Sequence, residues 1–338
     1  SGPHFWAGPQ GSGHKIARDR AVIPSAGLGH MTEQVILDCD PGRDDAFAIA
    51  LAIASPDEIN LLAITAVVGN VELSKTQRNA RMICEICSRS DIPVYGGADK
   101  PLKRPPVHAA EHHGVTGLHG MEVFDPAQPL QSQFAVDYML DTLAAADAGT
   151  ITIVAIGPLT NLALAMEKDA DTFARAKQVV IMGGAGRAGG NITPAAEFNF
   201  YADPHAAAKV LACGRPLVMF GLDVTHQVLG GQDEADRLSH GGPAANALSG
   251  MVLPINENGT GKTHSPLHDP CTFAWLISPN LFDAKMVNIE VECDSELTMG
   301  MSVVDMRGSS GRAPNVLWAH DVDGPAVVDL IIRRIAAI

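Results

Sequence analysis

The chain predicts an α/β fold, a mainly parallel, doubly wound (Rossmann-like) sheet with a small antiparallel addition near the C-terminus. Three observations carry that expectation. Strand-like and helix-like runs alternate along most of the sequence. The strand-like runs are continuously apolar rather than alternating, as strands are when helices cover both faces of their sheet. Polar residues gather just after the strand ends, the rim where such folds place ligands.

The elements follow in order. Residues 34–40, QVILDCD, read as a buried first strand, and 44–55, DDAFAIALAIAS, as the helix after it. INLLAITAVVGN (59–70) reads as the second strand and KTQRNARMICEIC (75–87) as the second helix. TITIVAIG (150–157), AKQVVIMGG (176–184) and RPLVMFGLDVT (215–225) continue the strands, the last ending in Asp223 and Thr225. LTNLALAMEKD (159–169) and DPHAAAKVLA (203–212) are helices between them. MVNIEVE (286–292), TMGMSVVDMR (298–307) and NVLWAHD (315–321) lack intervening helices, which predicts the antiparallel addition. PAVVDLIIRRIAA (325–337) closes the chain as a helix. Residues 1–30 are rich in Gly, His and Pro and lack the apolar core of a secretory signal. They are expected to be a tag remnant or disordered arm, with 31–338 a single domain.

Charge and cysteines narrow the partners. A formal net charge of −14 argues against binding the phosphate backbone of a nucleic acid. No apolar run approaches the ~18 residues needed to cross a bilayer, so no membrane partner is expected. Six scattered cysteines fit a reducing cytoplasm. Cys84 and Cys87 have redox-motif spacing, yet they share an apolar helix face with Ile83 and Ile86, which predicts buried packing.

The stretch VILDCDPGRDDA sets Asp38, Asp40, Asp44 and Asp45 within eight positions, between an apolar strand and an apolar helix. Four like charges so close repel one another, and partial burial raises the cost, so a cation is expected among them. Helix-dipole preference accounts for one or two acids at a helix start, hardly four. An EF-hand loop needs a glutamate where Ile49 stands. A strand ending in Asp-x-Asp also fits an aspartyl phosphatase, but no clear downstream lysine and acidic pair complete that motif. Carboxylate oxygens suit a hard cation such as Ca²⁺. A further acid follows in His268-Asp269-Pro270, where Asp269 could equally be a helix N-cap. Gly184-x-Gly186-x-x-Gly189 matches a dinucleotide fingerprint, but Asn191-Ile-Thr-Pro194 follows where a helix should open. His108, His112, His113 and His119 lie in the Gly-rich loop HAAEHHGVTGLHG, which reads as a flap more than a zinc site, and INENGTGKTHS (255–265) reads as a second flap.

DCDPGRDDA, AVVGN, GPLTN, IMGGA, Asn191 with EFNF, LDVTHQ and HDPC occur in that order from about Val35 to at least Asp305. Together they resemble the inosine–uridine-type nucleoside hydrolase family. The resemblance implies hydrolysis of the N-glycosidic bond of ribonucleosides to free base and ribose, in a homodimer or homotetramer. It implies a Ca²⁺ that binds the attacking water and two ribose hydroxyls, held by Asp40, Asp45, Asp269 and the carbonyl of Ile156. Asp40 would also deprotonate the water, and His268 would protonate the leaving base. Asp44 and Asn199 would hold the 2′- and 3′-hydroxyls, Asn191 and Glu197 the 5′-hydroxyl, with Asn70 in support. Met182 and Phe198 would line the substrate pocket, and His113 would sit on the flap over the base. Such chemistry is consistent with the residue types, since an oxocarbenium-like sugar needs a nucleophile, charge stabilisation and a proton for the departing base. The alternatives are a nucleoside- or sugar-binding protein with a structural Ca²⁺ and a metal-dependent phosphatase.

Overall fold

The continuously apolar runs become the middle of one sheet. The computed structural model describes residues 32–109, 113–255 and 261–338. In it β1 (Glu33–Cys39) lies parallel between β2 (Ile59–Ala66) and β4 (Ile151–Ala155). β3 (Val94–Gly96) extends the sheet beyond β2, while β5 (Gln178–Met182) and β6 (Leu217–Phe220) extend it beyond β4. Successive strands therefore step one way from β1 and then the other. Such a reversal opens a crevice at the carboxyl ends of the strands on either side, where a ligand can enter.

The C-terminal strands are β9 (Phe282–Val291), β10 (Ser302–Asp305) and β11 (Val316–Val322), giving the order β10-β9-β11-β6-β5-β4-β1-β2-β3. The antiparallel addition is present, with one refinement. β11 pairs antiparallel with β9 but parallel with β6, so it joins the two parts of the sheet. β7 (Leu229–Gly230) and β8 (Ser265–Pro266) make a separate two-stranded piece.

Helix α1 (Arg43–Ile53) is buried at ten of its positions, all but Asp44. It packs against the helices Pro270–Ile277 and Gly324–Ile335 as well as the sheet, which is why it carries apolar residues all round. Helix α2 (Leu73–Ile86) buries Met82, Ile83 and Cys84 on one side. Cys84 and Cys87 are buried, and all six cysteines are unpaired. Among the described residues, no helix is long and apolar enough to cross a membrane.

One expectation is corrected. RPLVMFGLDVT is not a strand to its end. The ladder stops at Phe220, and Val224 and Thr225 turn their N–H groups back to the carbonyl of Gly221 (3.1 Å each), forming the one-turn helix Leu222–Thr225. After Gly184 no helix opens until Phe198, so the dinucleotide motif is rightly discounted. The expectations for residues 1–30, for His112 and for 256–260 of the second loop lie outside the described residues.

Candidate active site

β1 delivers Asp40 to the rim between the turns that follow β2 and β4. The side chain is 1 % exposed. Its Oδ2 accepts the backbone N–H of Asn70 at 2.7 Å, while Oδ1 is buried with no hydrogen-bond partner among the described residues. A Cβ at Gly69 would stand 2.0 Å from Oδ2 and one at Gly157 2.6 Å from Oδ1, so both turns must be glycine to close on the carboxylate.

Asp45 accepts the N–H groups of Asp40 (3.2 Å) and Gly42 (2.9 Å) and so closes the first turn of α1. The helix-terminus explanation of the acids thus holds in part for this one. Asn70 Nδ2 donates to the carbonyl of Asp40 (3.1 Å) and to Asp45 Oδ2 (3.3 Å). Carboxylate oxygens of Asp44, Asp45 and Asp269 come within 4.8 Å of one another. Asp269 stands directly before the helix Pro270–Ile277, yet its side chain makes no capping hydrogen bond. It stands instead within 4.8 Å of the Asp44 and Asp45 carboxylates.

These acids are held far from their ordinary state. Burial, then the neighbouring carboxylates, drive Asp40 and Asp269 well above the usual carboxylate range. Burial, then Asp44, pushes Asp45 up to about 7. An unpartnered buried oxygen beside three crowded carboxylates is a donor set of hard, anionic oxygens, and it fits a divalent cation.

Asp38 does not share in this. It lies within the ladder, opposite Thr65 and Ala155, and its Oδ1 accepts from Thr65 Oγ1 (2.6 Å) and Asn161 Nδ2 (2.7 Å). Burial pushes it up to about 7 against those bonds. Of the four acids in that stretch, three stand at the rim and one is locked in the sheet.

The cavity above the acids measures about 240 Å³. It is lined by Asn70, Ile156, Met182, Asn191, Glu197, Phe198 and Asn199. Asn199 Nδ2 donates to the carbonyls of Ile156 (2.9 Å) and Met182 (3.2 Å). Glu197 caps the helix Phe198–Ala202, accepting from Asn199 (2.9 Å), Phe200 (3.2 Å) and Gly184 (2.8 Å). Burial nonetheless pushes it up to about 7. Asn191 Oδ1 accepts the N–H of Phe198 at 2.9 Å. Of the residues expected at the substrate or the cation, all but Asp40 and Asp45 line this one cavity, and those two are buried and hydrogen-bonded to its lining residue Asn70.

His113, His226, Lys262, His264 and His268 also line the cavity. His268 Nδ1 lies 2.7 Å from Thr225 Oγ1, and the rings of His226 and His268 are 5.6 Å apart. Arg43 fastens two stretches beside the cavity to α1. Its N–H donates to His113 Nδ1 (3.1 Å), and its guanidinium donates to the carbonyls of Met251 (2.5 Å) and Leu253. Its side chain therefore grips the walls rather than neutralising the acids.

Comparison with known proteins agrees with this geometry. Residues 35–329 match the family model of the inosine–uridine preferring nucleoside hydrolases. The chain belongs to that family. An uncharacterized protein of Schizosaccharomyces pombe is 45% identical over 306 residues, covering 89% of this chain and 98% of its own. The pyrimidine-specific ribonucleoside hydrolase RihA of Shewanella sp. strain ANA-3 is 42% identical over 311 residues, covering 90% and 97%. Among solved structures, the plant nucleoside hydrolase PpNRh1 superposes with a TM-score of 0.85 at 31% identity, covering 91% of this chain and 100% of its own. The protein is thus a ribonucleoside hydrolase, and the binding-protein and phosphatase readings are not favoured.

Sequence reasoning did not assign roles to Phe47, Thr225 or His226 in this nucleoside hydrolase. Phe47 reads as one more apolar residue of α1. Thr225 and His226 stand in the LDVTHQ motif, but spacing alone could not show that they meet His268, forty residues on.

Proposed function

We propose that this nucleoside hydrolase cleaves the N-glycosidic bond of ribonucleosides with Ca²⁺ as its resident cation, Asp40 as general base and His268 as the group that assists the leaving base. The single observation that carries the reading is the crowding of the Asp44, Asp45 and Asp269 carboxylates, whose oxygens lie within 4.8 Å of one another, with the buried Asp40 close enough to feel Asp44 and Asp45. Asp40, Asp45, Asp269 and the Ile156 carbonyl would hold the ion. When bound, Ca²⁺ would lower the pKa of water at the pocket floor and neutralise the crowded acids. Asp40 is positioned at the floor to take a proton from that water. Asp44 and Asn199 orient the sugar through its 2′- and 3′-hydroxyls, and Asn191 and Glu197 through its 5′ end. Asn70 braces Asp40 and Asp45, and Met182 and Phe198 close the apolar side. His113 and His268, which also line the cavity, would face the base.

The name of the Shewanella relative supports pyrimidine ribonucleosides as the first substrates. A role in nucleoside salvage, a cytoplasmic setting and a homodimer or homotetramer belong to the same proposal. The test is a nucleoside panel assayed for free ribose, beside a nucleotide assayed for free phosphate. Ribose release that stops on prolonged chelation and returns with Ca²⁺ is expected. Turnover in protein shown by elemental analysis to be metal-free would sink the cation's part, and phosphate release alone would sink the whole reading.

A further inference from the structure

We infer that Thr225 is a positioning residue that keeps a hydrogen on Nε2 of His268, so that the imidazole always meets the departing base as a donor. This inference rests on the reading of His268 as the leaving-group residue.

Thr225 is fully buried, 0 % exposed, in the one-turn helix after β6, and its Oγ1 lies 2.7 Å from His268 Nδ1. The contact can be built in two ways. If the hydroxyl accepts, its own hydrogen must find another acceptor. Among the described residues the ring nitrogen is the only side-chain or backbone group that this hydroxyl meets. A buried hydroxyl hydrogen left without an acceptor is unfavourable. If the hydroxyl donates, Nδ1 is the acceptor, and the hydrogen of the neutral ring sits on Nε2. A positively charged ring carries hydrogens on both nitrogens. In neither state does Nε2 show the base a lone pair.

The backbone keeps the pair in register. Thr225 N–H donates to Gly221 O (3.1 Å), Val228 N–H to Thr225 O (3.2 Å), and Leu267 N–H to Val228 O (2.8 Å). His268 is thus tied, through its preceding residue, to the turn that holds the hydroxyl. Its Nδ1 side faces that turn, so Nε2 is the nitrogen that serves the cavity. The tautomer matters because a departing base gathers negative charge on atoms that already bear lone pairs. A donor stabilises that charge and a lone pair opposes it.

Thr225→Val keeps the shape of the side chain and deletes the donor, while Thr225→Ser keeps the donor. In the metal-loaded full-length enzyme, Thr225→Val should lower kcat on the preferred ribonucleoside roughly tenfold, the rate equivalent of one buried hydrogen bond, with KM changed much less. Hydrolysis of p-nitrophenyl riboside, whose leaving group departs unaided, should fall far less, and Thr225→Ser should recover most of the nucleoside rate. Nitrogen-15 spectra of histidine-labelled enzyme, with the His268 signal identified by its loss in His268→Ala, should show the Nε2–H form in wild type. Thr225→Val should gain the Nδ1–H form. An Nδ1–H ring in wild type, or equal losses on both substrates in Thr225→Val, would overturn the inference. Wild-type-like nucleoside hydrolysis by Thr225→Val while His268→Ala is crippled would overturn the role of Thr225 alone. Full nucleoside activity in His268→Ala would instead overturn the reading of His268 on which it rests.

Discussion

Asp38 and Asp40 stand two positions apart and meet opposite fates. Asp38 sits inside the ladder, its Oδ1 held by Thr65 and Asn161, whereas Asp40 stands just past the strand end among the acids of the rim. The acid cluster was legible in the sequence, and its division was not, because it depends on which residue lies within the ladder and which has just left it. Two predictions belong here. Asp40→Asn removes the base while preserving the bond from Asn70, so turnover on the preferred nucleoside should fall by roughly 10²-fold or more. Steady-state kinetics at saturating substrate and Ca²⁺ would measure it, and a wild-type rate would take Asp40 out of the mechanism. Substrates lacking the 2′-hydroxyl leave Asp44, a largely buried carboxylate in the cavity wall, without its partner. A 2′-deoxynucleoside should therefore be a poorer substrate by on the order of 10⁴ in kcat/KM. Comparable rates for uridine and deoxyuridine would contradict that arrangement.

The long elements were readable because burial on both faces leaves continuous apolar runs; β2, β4 and β5 fall within the runs that predicted them, and β1 starts one residue before its own. Short elements carry too few residues for a pattern. β3 has three residues and β7 and β8 two each, and the helix Leu222–Thr225 passes for the end of a strand because Leu, Val and Thr suit either state. The start of the helix Pro270–Ile277 posed the sharpest ambiguity, since Asp followed by Pro is a sound capping signal. Its carboxylate turns towards Asp45 and caps nothing, which separates stability from function. Asp269→Asn should leave the melting temperature of the metal-free protein unchanged or higher, because it removes a crowded buried acid. The same variant should lose most of the stabilisation that Ca²⁺ gives the wild type. Melts with and without Ca²⁺ test both halves, and a metal-free protein destabilised by the change would restore the capping role.

Across the whole molecule, several buried carboxyls make stability depend on pH. Asp38, Asp45 and Glu197 are each raised to about 7 by burial, against about 4 in an unfolded chain. The folded protein therefore binds more protons than the unfolded chain between those values. The stability this contributes is complete below about pH 4 and is lost as pH rises through about 7. Metal-free protein should melt at a lower temperature at about pH 8 than at about pH 5, by roughly 2 °C or more. Ca²⁺ should restore the share carried by Asp45 and leave that of Asp38 and Glu197, so a flat profile without metal would refute the account. Arg43 has a different reach. It precedes Asp44 and Asp45, and two separate stretches beside the cavity hang from it, one by the bond to His113 and the other by the carbonyls of Met251 and Leu253. Whatever steadies the first turn of α1 steadies both stretches, and whatever steadies them steadies that turn. A ligand held by the acids and a ligand held against those stretches are therefore expected to bind cooperatively, and by thermodynamic reciprocity each would sharpen the affinity for the other by the same factor.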